Sequence, residues 1–97
     1  MTTWHIHIKG MVQGVGFRPH VYRLANSLGI KGTVNNSSDG VHIVGTATAS
    51  LLQTFYHSII ENPPANAIIT KHCVTPIPYQ QFNFFSIIQS QHTLDTD

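Results

Sequence analysis

Charged side chains are scarce in these 97 residues. Lys9, Arg18, Arg23, Lys31 and Lys71 stand against Asp39, Glu61, Asp95 and Asp97, 9% of the chain, where about 25% is usual. A formal net charge of +1 and five dispersed basic residues leave no positive stripe that could track a phosphate backbone, so nucleic acid is not expected as a partner. Cys73 is the single cysteine, which rules out an intrachain disulfide. A small domain of an oxidising compartment ordinarily carries several cysteines, so the cytoplasm is the expected location. No apolar run nears the roughly 18 residues of a membrane span, and the opening MTTWHIHIKG lacks the basic start and apolar core of a signal peptide. No membrane partner is expected. The two common nucleotide loops are also missing: GxGxxG would need glycine where Pro19 stands, and neither Gly-Lys-Ser nor Gly-Lys-Thr occurs.

What is present is a moderate apolar share, 41%, enough for one compact core at this length. Trp4, Ile6 and Ile8 alternate with His5, His7 and Lys9, the period-two pattern of a strand with one buried face. Beyond Pro19, apolar Val21, Leu24, Ala25 and Leu28 fall at i, i+3, i+4, i+7, a helix with proline in its first turn and Gly29 as its cap. Ile30 to Asn36 and Val41 to Gly45 read as two strands joined through the turn-rich Asn35 to Gly40. Leu51, Leu52, Phe55, Tyr56, Ile59 and Ile60 repeat at helical spacing until Asn62-Pro63-Pro64 stops them. The β-branched stretch Ala67 to Val74 predicts a strand, broken by Pro76 and Pro78, and Gln81 to Ile88 is strand-like again. The order β-α-β-β-α-β predicts an α+β, ferredoxin-like sandwich: a four-stranded antiparallel sheet with two helices on one face. Residues 1–90 form the domain and 91–97 a polar tail.

The fold hosts many functions, so chemistry must be sought in the segment after the first strand, Gly10-Met11-Val12-Gln13-Gly14-Val15-Gly16-Phe17-Arg18-Pro19. Glycines at 14 and 16 allow successive amides to converge into an anion nest, with the positive end of the following helix behind them. Arg18 stands where loop meets helix and can close the nest on a phosphate with a bidentate grip. Spacing alone also permits a plain tight turn with a solvated arginine.

The loop Val12-Gln13-Gly14-Val15-Gly16-Phe17-Arg18, followed by Gly32-Thr33-Val34-Asn35-Asn36 and Asp39-Gly40-Val41, resembles the two signature blocks of the acylphosphatase family. With the expected strands, the resemblance spans about residues 4 to 88. It implies hydrolysis of a small acyl phosphate without metal or organic cofactor. Arg18 and the backbone of Gly14, Val15, Gly16, Phe17 and Arg18 would hold the phosphate, and Asn36 would orient the attacking water. Elementary chemistry agrees with that division. The acyl group already leaves well, so charge neutralisation and an aligned water are the main requirements. An amide such as Asn36 positions a water rather than deprotonating it.

Phe17 to Ala25 and Asn62-Pro63-Pro64-Ala65 further resemble the N-terminal acylphosphatase-like domain of hydrogenase-maturation carbamoyltransferases. That implies carbamoyl phosphate as substrate and downstream domains of a larger protein as partners, with Gln89 to Asp97 entering a linker. Gly16, Pro19 and Thr33 depart from the free-standing acylphosphatase pattern. The alternatives are a non-catalytic carbamoyl-phosphate-binding or docking domain and, less well supported, an RNA binder of the RRM type. The latter lacks aromatics in its third strand, Gly40 to Val44. Among the seven histidines, His5 and His7 share a strand face, but no third ligand has defined spacing and no metal site is expected. His20 lies beside the loop and reads as an exposed helix residue. Cys73 is expected to be buried, and Phe82 and Phe84 are expected on one strand face with Phe85 on the other.

Overall fold

A computed structural model describes residues 1–89. Its elements run β1 (Thr2–Met11), α1 (Phe17–Leu28), β2 (Lys31–Ser37), β3 (Gly40–Ala47), α2 (Ala49–Glu61), β4 (Ile68–Ile77) and β5 (Phe85–Ile88). The expected tail from Ser90 to Asp97 lies outside the described residues. The strands form one sheet in the order β4-β1-β3-β2-β5. Each neighbouring pair among the first four strands is antiparallel, whereas β5 runs parallel to β2.

The sheet therefore has five strands, not four. The chain leaves β4 at one edge, crosses the sheet and adds Phe85–Ile88 to the free edge of β2, pairing backbone groups that an edge strand would leave open. Two other expectations are corrected. Pro76 does not end β4, because β4 is an edge strand and a residue without an N–H is tolerated there. The last strand begins only at Phe85 rather than at Gln81, with Phe85 buried and the preceding Phe84 exposed.

Both helices pack on one face. Ile6, Ile8, Val34, Val41 and Ile43 from the sheet meet Val21 and Ala25 of α1 and Leu52, Phe55 and Ile59 of α2 in a single core cluster. Phe85 joins this core edge-on to Phe55, so the short β5 is fastened by its first side chain. A buried phenylalanine of this kind contributes roughly 3–5 kcal/mol against alanine. On the opposite face, Thr3 and Thr46 bond to each other at 2.7 Å, and Gln80 in the β4–β5 crossing takes a bond from each side: its N–H donates to Thr3 Oγ1, and its carbonyl accepts from Thr46. The crossing thus covers one end of that face. Cys73 is exposed on β4, contrary to the expected burial, because the helices do not cover this side of the edge strand. No helix among the described residues is long and apolar enough to cross a membrane.

Candidate active site

Val12 and Phe17 are both buried in the core and pin the two ends of the loop between β1 and α1. Between them Gly14 and Gly16 adopt φ of 74° and 76°, the left-handed conformation that glycine accepts without a Cβ penalty. Gly16 is also the N-cap of α1. It offers no side chain to cap the helix, and the first turn carries no acidic residue. Pro19 follows in that turn and brings no N–H. The positive helix end is therefore left to an external anion, a geometry that suits phosphate.

The helix begins at Phe17, two residues before Pro19, so Arg18 belongs to its first turn. The half-buried side chain reaches the last strand, where Nη1 donates to the carbonyl oxygen of Ile88 at 3.4 Å. Ile88 in turn pairs with Asn35 across the parallel β2–β5 ladder, placing the arginine next to the strand that bears Asn36. On the other side, Gln13 Nε2 donates to the carbonyl oxygen of Ser37. Asn36 thus sits between two residues of β2 that are each linked to the loop, Asn35 through Ile88 and Ser37 through Gln13.

Asn36 itself pairs with Val41 on β3. Its Oδ1 is buried and has no hydrogen-bond partner. Burying an amide oxygen in this way costs about 1–3 kcal/mol, and such an atom in a native fold calls for a functional account. A groove of about 540 Å³ opens beside the loop, lined in part by Gln13, Ser38 and Asp39 but by neither Arg18 nor Asn36. A phosphate held by amides and a guanidinium needs no deep cavity, so the shallow loop surface is the better candidate.

Gly14 to Arg18 span the loop and the start of α1, and Asn36 lies on β2, which is linked to them through Gln13 and Ile88. His20 lies on α1, half-buried rather than exposed, with its ring steeply inclined to that of Phe17. Two contributors were missed. Ile88 could be found only from the parallel pairing of β5, which has no local signal. Gln13 lies inside the recognised loop, but its link to Ser37 spans 24 positions.

The acylphosphatase family model matches residues 4–87. An acylphosphatase of Ligilactobacillus salivarius is 41% identical over 88 residues, covering 90% of this chain and 98% of its own. The carbamoyltransferase HypF of Synechocystis is 38% identical over 87 residues, and there the chain spans 11% of the relative's length. Among solved structures, acylphosphatase from Bacillus subtilis superposes with a TM-score of 0.85 at 32% identity, over 91% of this chain and 99% of that one. Full-length HypF in a phosphate- and nucleotide-bound form gives 0.89 at 35% identity, over 92% of this chain and 12% of that one. With the family model matching from the first strand to the last, and with free-standing enzymes matched along nearly their whole length, the chain belongs to the acylphosphatase family and is a hydrolase of acyl phosphates.

Proposed function

We propose that the substrate is carbamoyl phosphate and that residues 1–90 serve as the acylphosphatase-like domain of a larger cytoplasmic carbamoyltransferase. The similarity to HypF proteins supports this assignment, together with a loop built for a small dianion. Arg18 and the amides from Gly14 to Arg18 hold the phosphoryl oxygens. Their fixed positive charge is worth most where the transferring phosphoryl group carries its charge in the transition state. Asn36 accepts a hydrogen bond from the attacking water through Oδ1. Water attacks phosphorus, the bond to the acyl oxygen breaks, and that oxygen leaves as carbamate while the water proton is released to solvent. The low basicity of the leaving group makes a strong general base unnecessary.

The observation that carries this reading is the buried, unpartnered Oδ1 of Asn36, in a strand tied on both sides to the phosphate loop. The test is phosphate release from carbamoyl phosphate and acetyl phosphate by the wild-type chain, Arg18→Ala and Asn36→Ala. Faster release from carbamoyl phosphate, with loss in both variants, is expected. Equal or faster turnover of acetyl phosphate overturns the substrate assignment, and near-wild-type turnover by Arg18→Ala overturns the site. Binding of carbamoyl phosphate without any release supports the docking alternative.

A further inference from the structure

The face of the sheet opposite the helices carries a row of three stacked imidazoles. His7 and His42 are direct cross-strand partners on β1 and β3, with ring centroids 4.2 Å apart and planes within 13°. His5 stacks on His42 at 5.1 Å. The β2–β3 turn folds Asp39 over the end of this row and offers one carboxylate oxygen to each of two rings: Oδ1 lies 2.8 Å from His42 Nε2, and Oδ2 lies 3.7 Å from His7 Nε2. Ligand atoms of His7, Asp39 and His42 all lie within 4.8 Å of one another. A tetrahedral ion with bonds of about 2.0–2.1 Å requires ligand atoms roughly 3.3 Å apart, so small side-chain rotations suffice. Spacing along the chain sets His5 beside His7 but defines no third ligand, and strand pairing supplies it.

We propose that His7 Nε2, His42 Nε2 and the Asp39 carboxylate bind a divalent transition-metal ion of the zinc class, with a fourth position open to water. Two imidazoles and one carboxylate suit such an ion better than magnesium or calcium, which prefer all-oxygen sets. The surroundings supply an outer shell. His42 Nδ1 lies 2.9 Å from His5 Nε2, so His42 can donate from Nδ1 to His5 and exchange its Nε2 hydrogen bond to Asp39 Oδ1 for the metal bond, the usual way of fixing a ligand's tautomer. Ser37 Oγ donates to Asp39 Oδ1 and orients the carboxylate. His7 Nε2 lies 2.7 Å from the carbonyl oxygen of Asp39 and exchanges that hydrogen bond for the metal bond. All three ligand residues are partly or well exposed, so the ion has a path from solvent.

This site is independent of the hydrolytic reading and is tested without an activity assay. The full chain, free of any polyhistidine tag, is titrated with zinc chloride by calorimetry, and its imidazole nitrogens are followed by NMR. One zinc per chain is expected, with His7 and His42 Nε2 shifting to metal-bound values. His42→Asn and Asp39→Asn should each weaken binding at least tenfold, His57→Ala should leave it unchanged, and excess magnesium should not compete. Absence of binding overturns the proposal, as does binding that both ligand variants retain or that His57→Ala weakens equally. Should a ligand variant fail to fold, the wild-type NMR decides: shifts at His20, His57 or His72 in place of His7 and His42 reject the site.

Discussion

Arg18 and Ile88, seventy positions apart, are joined by a hydrogen bond from the guanidinium Nη1 to the backbone carbonyl of the last strand. That contact turns a flexible side chain into one aimed along the edge of β2, and it uses only one of the five donors a guanidinium carries. The remaining donors stay available for a phosphate. Arg18→Ala should therefore lower kcat on acyl phosphates by about 10² or more, as removal of a preorganised charge-stabilising group does. The melting temperature should fall by no more than the loss of one long hydrogen bond allows, at most about 0.5–1.5 kcal/mol. Arg18→Lys keeps the charge without the planar fork and should fall between wild type and Arg18→Ala. Steady-state phosphate release and circular-dichroism melts of the three proteins check both halves.

Asn36 should show a similar separation of function from stability. Because its buried Oδ1 has no partner, Asn36→Ala removes an unsatisfied polar atom as well as a water-positioning group. Turnover should drop by roughly 10² with a smaller effect on phosphate affinity, which is the pattern of a group acting mainly in the transition state. The fold should be as stable as wild type or more so. A melting temperature depressed in step with activity would make Asn36 a structural residue instead.

The difference in legibility between parts of this molecule has a physical origin. The two helices and the first three strands were readable because periodic burial is written locally: Val21 and Ala25, or Leu52, Phe55 and Ile59, fall on one helical stripe and are buried together. The phosphate loop was readable because glycine at 14 and 16 answers a local backbone requirement. Nothing local distinguishes Phe85–Ile88 from a longer strand. What shortens it and sets it beside β2 is the crossing through Gln80 and the burial of Phe85. Cys73 and Pro76 were misjudged for one shared reason, namely that the edge position of β4 is a property of sheet order. The histidine row likewise depends on the register His7↔His42, which no spacing along the chain encodes.

Glycine substitutions should divide into two classes. A Cβ at Gly14 or Gly16 meets nothing within 4 Å, so alanine there carries mainly the left-handed conformational penalty of about 1–2 kcal/mol, partly offset by a less flexible unfolded chain. Melting temperatures should fall by about 4–8 °C per kcal/mol, and KM should rise as the amides lose their aim. At Gly32, φ is 152° and a Cβ would stand 1.8 Å from the Val44 carbonyl oxygen. There the obstacle is the backbone of the paired strand β3, which cannot rotate away. Gly32→Ala should therefore disrupt the β2–β3 ladder and destabilise far more than either loop variant. Hydrogen exchange at the β2–β3 amides, compared across the three variants, discriminates the two mechanisms.

His5 and Asp39 should give the fold two separate responses to acid. Burial, reinforced by the charges of His42 and His7 and opposed by Asp39, lowers the His5 pKa from 6.5. In the window between the folded value and 6.5 the unfolded chain binds the proton more readily, so stability rises with pH there and is lost as pH falls through it. Asp39 is also lowered, chiefly by the hydrogen bond from Ser37 and then by that from His42. Its contribution is present above the ordinary value of 3.8 and is lost only on further acidification toward the folded value. The carboxylate is fully exposed, so solvent screening keeps that second loss small. Melts of the metal-free chain from pH 7.5 to pH 3 should thus show a first decline below about 6.5 that His5→Gln flattens and Asp39→Asn leaves in place. An unchanged slope in His5→Gln would overturn the assignment of that decline to His5.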